Sequence, residues 1–126
     1  MLFARVFFMF HHIRAPRKRE LIQSLAKSMS LTGVCKHGSP GFLYVEGEAL
    51  QVQAYIKEIK RMRWQSVEVR RKEQETLADN MPLETARRLT GPFGVVEVES
   101  SGEMSEKLQA VGLADFLHKA MTRTGP

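Results

Sequence analysis

Residues 3–12, FARVFFMFHH, constrain the fold more than any other stretch of the chain. At the two-residue period of a strand they put Ala4, Val6, Phe8 and Phe10 on one side and Arg5, Phe7, Met9 and His11 on the other. A strand with two such rows belongs at the centre of a sheet. Arg5 interrupts the apolar start, and no small-residue cleavage site precedes His11, His12 and Arg14, which argues against a targeting segment. No apolar run approaches the roughly 20 residues that cross a bilayer, so no membrane partner is expected.

The following segments alternate between helical and strand periods. Pro16 suits the first turn of a helix, Leu21, Leu25 and Met29 recur every four residues, and Gly33 is the expected stop. Residues 34–36 and 42–46 read as strands around the turn-rich HGSPG. Val52, Ile56, Ile59 and Met62 mark a second amphipathic helix over 49–63, and Val67 and Val69 a strand over 66–71. The order β-α-β-β-α-β over about 70 residues predicts the α+β, ferredoxin-like sandwich, with two helices on one face of a four-stranded antiparallel sheet.

The remainder is less regular. Residues 73–80 are polar and read as a linker or exposed loop, 82–89 as a short helix and 93–98 as a strand. Met104, Leu108 and Val111, then Leu113, Phe116, Leu117 and Met121, predict two short helices around Gly112. Too few apolar residues lie beyond position 80 to build a separate core. The expected organisation is one domain over 1–126, with a core at 1–72 and a C-terminal helical extension at 73–126 packed on it.

Charge is distributed unevenly. Residues 1–72 hold 14 Lys/Arg against 5 Asp/Glu, whereas 73–126 hold 5 against 9. The basic part suits phosphate backbones or an acidic protein face, unless the acidic part folds back on it. The single cysteine, Cys35, excludes an intramolecular disulfide framework and points to an intracellular setting, cytoplasmic or nuclear. His11, His12 and His37 lack further ligands at zinc spacing, and Cys35 with His37 lacks the third member of a nucleophilic triad. The HGSPG loop lacks the Lys-Ser/Thr ending of a nucleotide loop, and no carboxylate pair suggests acid–base work. Neither an enzyme nor a cofactor is expected.

Three groups of residues are candidates for binding RNA. Arg5 and Phe7 of the first strand lie beside Phe42 and Tyr44 of the third on the face away from the helices, where aromatics of this strand order can stack single-stranded bases. The alternative is that Phe93, Val95, Phe116 and Leu117 of the extension pack over that face. Arg14, Arg17, Lys18 and Arg19 gather at the first helix's N-terminus, where backbone N–H groups favour anions. Lys57, Lys60 and Arg61, with Arg63, Arg70, Arg71 and Lys72, form a second basic group. Either basic group also reads as solvated surface.

FHHI at 10–13, LTGVCKHGSPGFLYVEG at 31–47, the I-x-x-M-R-W that ends at Trp64 and MSEKLQAVGLADFLHKAM at 104–121 together resemble one family, over nearly the whole chain. It is the small domain found after the RWD domain of RWD-domain-containing proteins and at the C-terminus of the spliceosomal U4/U6 small nuclear ribonucleoprotein factor. The resemblance implies a ferredoxin-like fold and a domain that binds without catalysis. Its candidate partners are RNA in the splicing branch, or a protein such as an RWD domain. The expected function is thus a non-catalytic RNA-binding module, with a protein–protein adaptor as the alternative.

Overall fold

A computed structural model describes residues 1–122. The elements are β1 (Leu2–Phe10), α1 (Pro16–Ser28), β2 (Thr32–Lys36), β3 (Gly41–Glu48), α2 (Ala49–Arg61), β4 (Val67–Thr76), β5 (Gly94–Val98), α3 (Ser101–Ala110) and α4 (Ala114–Met121). They form an α+β fold with the expected ferredoxin-like core and C-terminal helices. The sheet has five strands in the order β4-β1-β3-β2-β5, so β1 is indeed internal. It is not purely antiparallel, because β5 joins β2 in parallel, Thr32 opposite Gly94.

The first core lies between the sheet and helices α1 and α2. The β1 row Ala4, Val6, Phe8 and Phe10 is fully buried there with Ile22 of α1 and Val52, Tyr55 and Ile59 of α2. Leu25 and Met29 only flank this core, since the α1 face turns Ile22 and Ala26 inward. Each large side chain buried this way contributes about 1.5–3 kcal/mol. The Tyr55 hydroxyl donates to the Ile22 carbonyl at 2.8 Å, satisfying its polar end inside the core.

Helix α1 ends before Gly33. Ser30 takes the left-handed conformation at φ 56°, and the Leu31 N–H donates to the Ala26 carbonyl at 2.9 Å, closing the helix with a Schellman pattern. Gly33 instead lies inside β2, where a Cβ would stand 2.1 Å from the Tyr44 carbonyl oxygen. The FHHI and HGSPG motifs meet at one end of the sheet, since Ile13 and Gly38 exchange both backbone hydrogen bonds, at 2.8 and 2.7 Å. Trp64 closes the same corner, its ring 4.5 Å from Phe10 and its indole N–H donating to the Ile59 carbonyl at 2.9 Å.

Two expectations for the later chain need correction. The polar stretch after residue 72 is no linker at first, because β4 continues to Thr76 and pairs with β1 as far as Leu2. An edge strand tolerates this, as its polar groups face water or, like Glu73 and Glu75, turn toward Arg5. The helix expected over 82–89 shrinks to a 3-10 turn at Leu83–Thr85. Beyond it the backbone turns to another acceptor: the Arg88 and Leu89 N–H groups donate to the buried Glu46 carboxylate at 2.8 and 2.9 Å.

The second sheet face is covered. Phe7, Val34, Phe42 and Tyr44 are buried beneath Met104 and Leu108 of α3 and Phe116 and Ala120 of α4. The residues that close this face differ in part from those expected. Phe116 and, at the margin, Leu117 take part, but Val95 points to the first core and Phe93 stays exposed beneath the Arg87 guanidinium, 5.0 Å from its ring. Strand parity is the reason: Val95 lies opposite Gly33, so it faces α1, whereas Val98 faces the second layer.

Candidate nucleic-acid interface

Covering the second face withdraws the aromatic candidates. Phe7 and Tyr44 are completely buried and Phe42 nearly so. Phe7 packs on Phe42 at 5.7 Å, and Tyr44 meets Phe116 edge-on at 5.7 Å. No base can stack on rings whose faces are already occupied by protein. The Tyr44 hydroxyl donates to Glu46 at 2.7 Å, and burial followed by the nearby Glu46 charge pushes its pKa well above the usual tyrosine value. Arg5 is withdrawn as well, at 5% exposure, with its guanidinium 5.2 Å over the Phe3 ring and within 4.0 Å of Glu73 and Glu75.

Three further cations are engaged by the acidic part of the chain. Arg19 makes a two-pronged bond to Glu97 of β5, Nε to Oε2 at 2.8 Å and Nη2 to Oε1 at 3.0 Å. That hydrogen bond is the main cause holding the Glu97 carboxyl below its ordinary range. Arg71 pairs with Glu73 at 2.9 Å. Arg70 donates from Nε to the Ala120 carbonyl at 2.8 Å and from Nη2 to that of Met121 at 3.2 Å, a cation at the carboxyl end of α4. The β-bulge opposite Phe7 and Phe8 explains its direction, because it lets neighbouring β4 residues turn toward the same face.

Two of the remaining basic groups touch at one point. Lys18, in the first turn of α1, donates to the Arg63 carbonyl just past α2 and holds its ammonium 4.5 Å over the Trp64 ring. This joins the start of α1 to the end of α2. Arg14 and Arg17, before and within the first turn of α1, and Lys57, Lys60, Arg61 and Arg63, along and just past the end of α2, are all exposed. Arg61 is partly offset by Glu58 at 3.1 Å. The first turn of α1 holds no acid and Ala15 offers no side-chain cap, but Pro16 has no N–H and that of Lys18 donates to the Ala15 carbonyl at 3.0 Å, so the helix end presents little beyond the Arg17 N–H. His12 borders the cluster; loss of solvent, then the charges of Arg14, His11 and Lys18, holds its imidazole pKa below the usual value. The helix junction was not legible in the sequence, although Trp64 and the basic spacing were visible.

Cys35, the single cysteine, lies buried in the first core. Burial, followed by the Glu97 charge, pushes the Cys35 thiol up to about 12. No group of three His, Cys, Asp or Glu side chains able to hold a metal ion occurs among the described residues.

Solved structures share the fold. BlrP1 BLUF matches with a TM-score of 0.65 at 16% identity, over 98% of this chain and 86% of that one. The BLUF protein BlrB in its dark state gives 0.57 at 17% identity, over 98% and 86%. Klebsiella pneumoniae BlrP1 with FMN and cyclic diGMP gives 0.59 at 18%, over 86% of this chain and 30% of that one. At such identities the likeness is one of architecture. Sequence adds what architecture leaves open: residues 6–120 match the C-terminal domain of the small nuclear ribonucleoprotein Prp3, and the chain belongs to that family.

Proposed function

We propose that this chain is a non-catalytic RNA-binding module of a ribonucleoprotein, acting in the nucleus and holding the phosphate backbone where α1 begins and α2 ends. The observation that supports this reading is the contact of Lys18 with Arg63 and Trp64, which joins the start of one basic group to the end of another distant in sequence. Membership of a small nuclear ribonucleoprotein family supports RNA as the ligand. Arg14, Arg17, Lys57, Lys60, Arg61 and Arg63 contact phosphates. Such contacts position a backbone and carry no base sequence. The covered sheet face leaves Phe7, Phe42 and Tyr44 to packing.

The test is fluorescence anisotropy with a labelled single-stranded RNA and a matched duplex at about 50 and 200 mM salt. Joint Arg14→Ala and Arg17→Ala replacement weakens binding and lowers the log–log salt slope by roughly 0.7–0.9 per cation removed. Unchanged affinity and slope in this variant overturn the reading. A protein–protein adaptor role is the second reading, favoured by the unpaired edge strand β5.

A further inference from the structure

The two edges of the sheet are unlike. β4 carries Glu68, Arg70, Arg71, Lys72, Glu73 and Glu75 and is kinked by a bulge, both of which deter a further strand. β5 reads Gly-Val-Val-Glu-Val, and its one charge, Glu97, is occupied by Arg19. The Gly94 N–H donates to the Leu31 carbonyl at 2.8 Å. From that register, alternation along a parallel pair turns the N–H and C=O of Val95 and Glu97 away from β2. Among the described residues no strand lies beyond β5.

The surroundings of this edge suit a strand's side chains. Val96 is 57% exposed and Phe93 41%. On the second face a groove of about 330 Å³ runs along Val34 and Val96, with Arg88 and Lys107 among its lining and no carboxylate. On the first face a groove of about 350 Å³ lies between Phe93, Val95 and the Lys27 end of α1, with Glu20 its one acid. A strand added to β5 places alternate side chains in the two grooves.

We propose that β5 is the docking edge for an extended segment of a partner protein that alternates apolar and acidic residues. The segment adds as a sixth strand through the main chain of Val95 and Glu97. Its apolar side chains lie in the first-face groove against Val95 and Phe93, and its carboxylates, on the other face, reach Lys107 and Arg88. Charge selects this occupant over a second copy of the chain, whose formal charge is +5 and whose own Lys107 and Arg88 would approach ours on the joined sheet. The edge uses none of the residues assigned to RNA, so the two readings stand or fall separately.

The experiment titrates a fluorescein-labelled dodecapeptide of alternating Val and Glu into the isotope-labelled chain, with poly-Glu and a Val–Lys alternation as controls. Saturable amide shifts centred on Gly94–Val98 and slowed hydrogen exchange at Val95 and Glu97 are expected, with neither control binding there. Lys107→Glu, at an exposed position, weakens binding up to about fivefold, the scale of one exposed ion pair. Val95→Pro removes an N–H that β2 does not use and abolishes binding while the spectrum stays dispersed. Three results overturn the proposal. These are equal binding of poly-Glu, shifts centred on Arg14 and Arg17 instead of β5, or a free chain that sediments as a dimer with its β5 amides already protected.

Discussion

Both faces of the central sheet are buried, but they are built from different materials. The first is covered by α1 and α2, two helices of 13 residues each, over a continuous apolar layer that includes Phe8, Phe10 and Tyr55. The second is covered by helices of 10 and 8 residues and by a crossing segment that Glu46 holds through two backbone N–H groups. Long helices close a face by area alone. Short ones need a polar anchor as well, and Glu46 supplies it from inside the sheet, where Thr32 and Tyr44 also donate to its carboxylate.

The sharpest test of that contrast compares one aromatic from each face. Phe8→Ala is expected to cost about 3–5 kcal/mol in urea unfolding, because its site cannot collapse between two helices and the sheet. Phe116→Ala is expected nearer 3 kcal/mol, since α4 can settle into the space. Hydrogen exchange separates the two further: the second variant opens α3 and α4 before β1, and simultaneous opening of both layers would make them one cooperative unit. Glu46→Gln comes next, at about 1–3 kcal/mol, because the charge that strengthens the Arg88 and Leu89 hydrogen bonds is lost and the oxygen that accepts from Tyr44 becomes a donor. Its loss is read as faster exchange at Arg88 and Leu89, with the first core unchanged.

The smallest effect concerns the pair that ties β5 to α1. Arg19 holds the Glu97 carboxyl below its ordinary 4.5, so near and below that pH the unfolded chain binds more protons than the folded one. The pair's stabilisation is therefore complete above the unfolded value and disappears as pH falls through the folded one. Glu97→Gln should flatten this part of the acid limb of a stability–pH curve, and an unchanged limb would assign the acid sensitivity to other carboxylates.

Much of the first layer was legible because its signals are local. The two rows of β1, the helical periods of α1 and α2 and the glycine-rich hairpin each report burial within a few residues, and together they determine the β-α-β-β-α-β core. The family motifs were legible too, although Ile13, Gly38 and Trp64 serve the corner of the sheet. Residues 82–89 were misread as a helix because their backbone partner, Glu46, lies some 40 positions earlier. Tertiary structure alone decided which cations stay on the surface. Arg5, Arg19 and Arg70 look like Arg14 and Arg17 in the sequence, yet the first three meet carboxylates or carbonyls brought from β4, β5 and α4. Periodicity tells a residue that it will be covered. It does not name the cover, because that choice is made by contacts between segments far apart in the chain.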